Sequence, residues 1–400
     1  MNINRKLLKL SPSQTLVLNQ KAKAIAAMGK KVFNFTAGEP DGDTPASIQQ
    51  AGIEAITSGK TRYTDSAGIL ELRQEIVAKA QRVYGRTYDV DEVIVSNGGK
   101  QAIYNTFYTL LNPEDEVIIL TPAWVSYKGM VEMLGAQVVE VSASIEQGFV
   151  PSVEAIAAAI TENTKLIVLN SPCNPSGAVY SKAFMEELAE LLVAHPDIFV
   201  LSDDIYEHFV FEGRFQAISQ HPKISKERLI IINGVSKSHA MTGWRIGYAL
   251  ANQELVSVMK KIQSQVTSNP CSISQYAALQ AIQEEARQEN PFRNSFEKRR
   301  NLIFGLLSDI PEINVILPQG AFYIFPEVER VLGVSSVAGK IETDIDLCAY
   351  LLEEVGVAVV PGSAFGLPGH IRMSYGLSEA AIIEGVALLK EALCKLSKKA

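Results

Sequence analysis

Seven short apolar runs recur along this 400-residue chain: 93–96 (VIVS), 117–121 (VIILT), 137–141 (QVVEV), 166–170 (LIVLN), 198–202 (IFVLS), 229–233 (LIIIN) and 246–250 (IGYAL). Most are apolar at every position rather than at every second one. A strand of that kind buries both faces, which is the habit of a parallel sheet covered on both sides. Between the runs lie segments of helical period, near 45–58, 69–84, 100–111, 124–134, 152–160, 181–194, 253–266 and 275–308. Pro45, following Thr44, suits the first turn of its helix. Strand and helix alternating in this way predict an α/β fold with a mostly parallel seven-stranded sheet covered by helices.

From about residue 285 the pattern changes. A long charged helix leads into GAFYIFPEV (320–328), VGVAVVPGSAFG (355–366), HIRMSYG (370–376) and a C-terminal helix over 378–396. These read as a smaller α+β unit. A helix near 13–28, stopped by Gly29, is expected to pack against it. The expected division is therefore a large domain over 45–284 and a small one from 1–44 and 285–400. With 47% hydrophobic residues, the chain has enough apolar mass for two cores.

The formal net charge of −7 argues against a nucleic-acid or anionic-membrane partner. No apolar stretch approaches the ~20 residues that span a bilayer, and MNINRKLLKLSPSQ lacks a signal-peptide core. The expectation is a soluble cytoplasmic protein. The four cysteines, Cys173, Cys271, Cys348 and Cys394, form no CxxC pair. Neither a zinc site nor a disulfide framework is expected, which fits a reducing compartment.

In open α/β sheets, ligands bind beyond the carboxyl ends of the strands, so the residues at those ends matter most. Strand 93–96 ends in Asn97-Gly98-Gly99-Lys100 before a helix; such a turn either cradles an anion or is simply tight. Strand 117–121 delivers Pro122-Ala123-Trp124, where the indole either stacks on a flat ring or packs in the core. Strand 166–170 delivers SPCNPSG (171–177), with Asn174 placed to aim an amide at a ligand or to complete a turn. Strand 198–202 delivers Asp203 and Asp204, then Tyr206. One acid suits a helix cap and the other a cationic ring nitrogen. Strand 229–233 delivers Ser236 and Lys237, with Arg245 close behind. A stacking ring, an acid, an amide, an anion cradle and a lysine across one crevice describe pyridoxal phosphate held as a Schiff base.

With those residues in place, the stretch GVSKSHAMTGWRIG (234–247) resembles the lysine signature of class I pyridoxal-phosphate aminotransferases, fold type I. The resemblance spans nearly the whole chain through TAGEPD (36–41), KTRYTDSAG (60–68), the GGK turn, NSPCNPSG, SDDIYEHF, GAFY and HIRMSY. It is nearest the bacterial and thermophilic aspartate aminotransferase subgroup. It implies that Lys237 carries the cofactor and then moves the Cα proton, and that Asp203 pairs with the pyridine nitrogen. Tyr206 and Asn174 would bond the phenolic oxygen, and Trp124 would stack on the ring. Gly98, Gly99, Lys100, Ser236 and Arg245 would surround the phosphate and the neighbouring substrate pocket. Arg372 would grip the substrate α-carboxylate with a bidentate fork, helped by the Gly38 backbone. Tyr63 would reach the partner subunit's phosphate, which implies a homodimer. Asp204 stands where many relatives carry Glu, with little effect expected, and Cys173 is unusual inside the SPxNP loop.

A distal substrate carboxylate needs a cation. The region 264–274 (SQVTSNPCSIS) has none. The subgroup implies Lys100 instead, with Ser13 from the N-terminal segment; the other role for Lys100 is an auxiliary phosphate contact. The expected reaction is ping-pong transamination of aspartate with 2-oxoglutarate. The alternatives are an aromatic or prephenate aminotransferase activity, alone or in addition, a carbon–sulfur lyase, and a non-catalytic regulatory protein on the same fold. A nicotinamide dehydrogenase is disfavoured by the lack of GxGxxG.

Overall fold

The structure is a computed structural model that describes residues 12, 14–336 and 339–397. Its centre is a seven-stranded sheet: β1 (Val93–Asn97), β2 (Glu116–Thr121), β3 (Gln137–Ser142), β4 (Thr164–Asn170), β5 (Phe199–Asp203), β6 (Leu229–Gly234) and β7 (Ile246–Leu250). The order across the sheet is β1-β7-β6-β5-β4-β2-β3. Every neighbouring pair is parallel except those of β7, which runs antiparallel to both β1 and β6.

The uninterrupted apolar runs are explained by the pleat. In β6, Leu229 and Ile231 point to one face, while Ile230 and Ile232 point to the other. The first face packs on the helices Leu70–Tyr84, Lys182–Ala194 and Ser272–Glu285. The second packs on Gly99–Leu110, Ser126–Leu134 and Gln253–Val266. Each residue of β6 is thus buried whichever way it points, whereas the edge strand β3 is largely exposed or half-buried.

Register then lines up the strand ends. Asn170 pairs with Asp203, Asp203 with Ile232, and Gly234 with Gly247. Because β7 runs antiparallel to β1 and β6, it begins at the edge where those two strands finish. Arg245, immediately before β7, therefore arrives beside Asn97 and the segment after β6.

A second core forms around the helices Arg293–Ser308, Asp344–Val355 and Glu379–Ser397, with a three-stranded antiparallel sheet of 360–361, 371–374 and 323–324. Phe33 and Phe35 join this core, and the strand Phe33–Asn34 pairs in parallel with 357–358. The helix Gln14–Ala27 packs through Ala22 on Leu352 and Ala358. Tyr206, Phe209 and Phe211, just beyond β5, also reach into the second core. No helix among the described residues is long and apolar enough to cross a membrane.

Two expectations about helices are corrected. The segment 275–308 is not one helix but two, Ser272–Glu285 and Arg293–Ser308. Pro291 has no N–H to offer and its ring excludes the preceding turn. Asn290, just before it, turns its amide to the Ser238 carbonyl at 2.6 Å. Pro45 is the extended residue before its helix rather than part of the first turn, and the helix starts at Ala46.

Candidate active site

A cavity of about 330 Å³ lies at the strand ends, between the sheet and the second core. Gly38, Gly99, Lys100, Trp124, Asn174 and Asp203 line it, as do Tyr206, Ser236, Lys237, Arg245 and Arg372. Each is an expected site residue. Gly98 sits directly behind Arg245: a Cβ there would lie 2.4 Å from the guanidinium, and its φ of +81° is itself a glycine conformation. Gly247 is needed for a similar reason, since its Cβ would lie 2.2 Å from the Gly99 nitrogen. Together they let β7 press the phosphate-type turn 97–100 against Arg245.

Lys237 is partly buried, and its Nζ donates to the Gly38 carbonyl at 2.6 Å. Burial is the main force on its pKa, which falls to about 8. Arg372 and Arg245 push the same way, while Glu39 and Asp203 oppose them. Asp203 is buried, and burial raises its pKa to about 6. The Tyr127 hydroxyl donates to Asp203 Oδ2 at 2.6 Å and restrains that rise, with help from the Ile205 N–H and Lys237. This carboxylate would be better satisfied by a cation in the cavity.

Arg372 is 2% exposed. Its Nη1 donates to Asn174 Oδ1 at 2.9 Å and its Nη2 to the Thr36 carbonyl at 2.7 Å. The rings of Tyr323 and Phe365 flank it at 4.6 and 5.0 Å. All four partners are neutral, and the buried Nε has no hydrogen-bond partner. A desolvated guanidinium with only neutral neighbours is a site waiting for an anion.

Tyr206 shares a 2.7 Å hydrogen bond with the Tyr323 hydroxyl. Asn170 steadies the SPCNPSG loop: its Nδ2 donates to the Asp203 carbonyl at 2.9 Å, and its Oδ1 accepts from the Asn174 N–H at 3.0 Å. Lys100 Nζ lies 4.9 Å from the Trp124 ring centroid, with its pKa lowered by desolvation and by Arg245. Trp124 in turn meets Tyr127 edge-on at 5.2 Å.

Some expectations lie elsewhere. Tyr63 is 90% exposed and outside this chain's cavity. Ser13 lies outside the described residues; Thr15 and Leu16, from the same segment, line the cavity. Neither acid of the Asp203-Asp204 pair caps an α-helix, because only turns follow β5. Asp204 is buried away from the cavity, accepting from Ser202 Oγ at 2.7 Å and Ser219 Oγ at 3.4 Å. Cys173 is buried, and its thiol reaches the Pro122 carbonyl at 3.4 Å.

Sequence reasoning missed Tyr127, Asn170, Tyr323 and Thr242, all on the cavity wall. Tyr127 had a signal: it follows Trp124 by three residues at a helix start, so the two share a face. Asn170 had one too, as the last residue of an otherwise apolar strand.

Comparison with known proteins agrees with this geometry. The family described as aminotransferase class I and II matches residues 30–389. The aspartate/prephenate aminotransferase of Cereibacter sphaeroides is 44% identical over 390 residues, covering 97% of each chain. The crystal structure of the Rhizobium meliloti aspartate aminotransferase superposes with a TM-score of 0.92 at 42% identity, covering 98% of this chain and 99% of that one. The Thermus thermophilus aspartate aminotransferase with maleate gives 0.91 at 39% identity, covering 98% and 100%.

Proposed function

The chain belongs to the class I and II aminotransferases and so moves amino groups between amino acids and 2-oxo acids; from that premise we propose that it transaminates aspartate with 2-oxoglutarate, using pyridoxal phosphate held at Lys237. The observation that carries the reading is the charge of the cavity wall. Four cations (Lys100, Lys237, Arg245 and Arg372) face one carboxylate, Asp203. That excess suits a phosphate together with a dicarboxylic substrate.

The residues present fit the cofactor. Arg245, Ser236 and the Gly98-Gly99 turn would hold its phosphate, where a Cβ would fill the cradle. Trp124 would cover its ring, and Tyr206 and Asn174 would face its phenolic oxygen. Asp203 would hold a proton on its ring nitrogen. When bound, pyridoxal phosphate supplies an aldehyde for an amine and a ring that accepts electrons.

The protein's own groups do the rest. Lys237 Nζ, with its pKa lowered toward neutrality, takes and returns the proton at the substrate Cα. Arg372, held in its fork geometry by Asn174 and the Thr36 carbonyl, grips the α-carboxylate. The Gly38 carbonyl holds the lysine amine between proton transfers. Lys100, with the Thr15 end of the first helix, meets the distal carboxylate. Maleate in the Thermus thermophilus relative supports a dicarboxylate there. A prephenate activity in addition is favoured by the name of the Cereibacter sphaeroides relative and by the apolar wall of Leu16 and Ile103.

The same proposal includes a homodimer in which the exposed Tyr63 reaches the partner's phosphate site, and the division of the chain at 44/45 and 284/285. The test is the absorbance spectrum of the purified protein, followed by L-aspartate without an acceptor. A visible band that bleaches with release of oxaloacetate is expected. A band that responds only to aromatic amino acids overturns the dicarboxylate reading. No band after added pyridoxal phosphate overturns the cofactor.

A further inference from the structure

Behind the cavity wall lies a second group of charges that the chemistry does not use. Lys79 is 2% exposed, and its Nζ sits 2.6 Å from both Glu207 Oε1 and Glu285 Oε2. His208 Nε2 stands between the same carboxylates, 3.4 Å from Glu207 Oε1 and 3.2 Å from Glu285 Oε1. Glu207, His208 and Glu285 offer ligand atoms within 4.8 Å of one another, a spacing that a metal ion could bridge. The ammonium of Lys79 already fills that role. With His208 protonated the cluster holds two positive and two negative charges, so no ion is missing.

Glu207 and His208 are chain neighbours of Tyr206, and Glu285 meets the turn after Lys237 through space. Ser238 Oγ lies 3.4 Å from Glu285 Oε1, and His239 Nδ1 lies 3.6 Å from it. Ser238 is held from the other side by Asn290, in the break before Pro291. Tyr84 ties Glu207 Oε2 at 3.3 Å to Asn233 at 3.1 Å, at the end of β6. One ammonium thus joins the segment carrying Tyr206 to the helix end that braces the segment carrying Lys237.

We propose that Lys79, Glu207, Glu285 and His208 form a charge-neutral clasp that sets the position of Lys237 relative to Tyr206 and Asp203, making His208 and Lys79 positioning residues for the reaction. Removing one charge leaves a buried carboxylate short of a partner, and the cheapest relief is movement of the 204–209 or 236–241 turn. The proposal rests on Lys237 carrying the cofactor.

The proton on His208 is the part of the clasp that solution conditions can remove. A pocket of about 150 Å³, lined by His208, His239, Glu284, Glu285 and Glu289, gives it access to solvent. Burial opposes its charge, but Glu285 and Glu207 outweigh burial and raise its pKa to about 9. His239 goes the other way, to about 4, through burial and through His208 and Lys79, so it stays neutral. Lys79 remains charged, held well above its ordinary pKa by the two glutamates against burial, with Tyr248 nearby. Because His208 is raised, its contribution to stability is full below its ordinary value near 6.5 and is lost as pH rises through 9.

The experiment compares the wild-type protein with His208→Gln. Two quantities are read: the pH midpoint of the bound cofactor's visible band, and thermal stability of the cofactor-free protein from pH 6 to 10. The expected results are a midpoint shifted by ~0.5 pH unit or more, and kcat lowered ~10-fold with the amino-acid KM within ~2-fold of wild type. The wild-type loss of stability toward pH 9 should vanish in the variant. A variant of lower stability with wild-type midpoint and kcat overturns the proposal, because the cluster would then only support the fold. If His208→Gln does not fold, Lys79→Arg keeps the charge but replaces a point donor by a planar fork. A wild-type midpoint in that variant also overturns the proposal. Absence of any visible band in the wild type would instead fail the cofactor reading.

Discussion

The cavity and the cluster behind it use the same residue types to opposite ends. In the cavity, Arg372 is buried against neutral partners and Asp203 has its pKa raised by burial, with no cation nearer than the cavity itself provides. Behind it, Lys79 touches two carboxylates at 2.6 Å and His208 lies between the same pair. One region leaves charge uncompensated where a ligand arrives; the other cancels its charge internally. The difference separates binding from scaffolding without reference to any ligand. It also gives each region its own response to mutation.

Lys237→Ala should show the largest effect. A variant without the amine at the centre of the cavity should lose ~10⁴-fold or more in turnover, since the group that moves the proton is gone. Thermal stability should change little or rise, because a desolvated amine is removed. Single-turnover kinetics and a melting curve check both. Near-normal turnover would break the comparison at its root.

Removing a cation from each region should next give stability losses of very different size. Lys79→Met leaves two buried carboxylates with one histidine and should cost ~3–5 kcal/mol of stability. Arg372→Met removes a cation whose charge has no partner in the fold, so it should cost little stability while lowering kcat/KM for aspartate ~10²-fold or more. Denaturant unfolding and steady-state kinetics on both variants are sufficient. Equal loss of stability in the two would mean that Arg372 is scaffolding as well.

A smaller effect sharpens the cavity itself. Lys100→Ala should lower kcat/KM for aspartate ~10-fold more than for phenylalanine, because only aspartate brings a second carboxylate to that rim. Equal losses for both substrates would assign Lys100 to the phosphate.

The cavity was legible from sequence because its residues fall at strand ends, where α/β folds put chemistry. Asp203, Asn174, Lys237 and Arg245 each interrupt or follow an apolar run, and that interruption is visible in one dimension. Arg372 was reached only through resemblance, since nothing in the HIRMSYG segment marks its arginine as buried and unpaired. The clasp was not legible at all. Lys79 lies mid-helix in an ordinary mixed sequence, and Glu207 and Glu285 are 78 residues apart in numbering. Their meeting depends on the helices Leu70–Tyr84 and Ser272–Glu285 covering the same face of the sheet. The single helix expected over 275–308 runs through ARQENP (286–291), a polar stretch closed by a proline, and the first helix stops at Glu285 before it.

Tyr127→Phe should give the smallest effect and probes the link between the cavity and its support. Tyr127 was missed in the sequence, yet its hydroxyl is the shortest contact to Asp203. In the cofactor-free protein Asp203 sits at about 6, raised by burial against the restraint of that hydroxyl. A carboxylate raised in the folded state contributes stability below its unfolded value near 3.8 and loses it as pH climbs through 6. Removing the hydroxyl should raise the Asp203 midpoint further, so the loss should extend to higher pH in Tyr127→Phe. A cation on the cofactor ring would reverse the preference and favour the charged acid, so the variant should hold cofactor only ~3–10-fold more weakly. Carboxyl NMR of the cofactor-free protein and a cofactor titration measure the two quantities. A raised midpoint with unchanged cofactor affinity would mean that Tyr127 supports Asp203 only until the ring nitrogen takes over. An unchanged midpoint would place the control of Asp203 in burial alone, and the cavity's one acid would then need no partner from the protein.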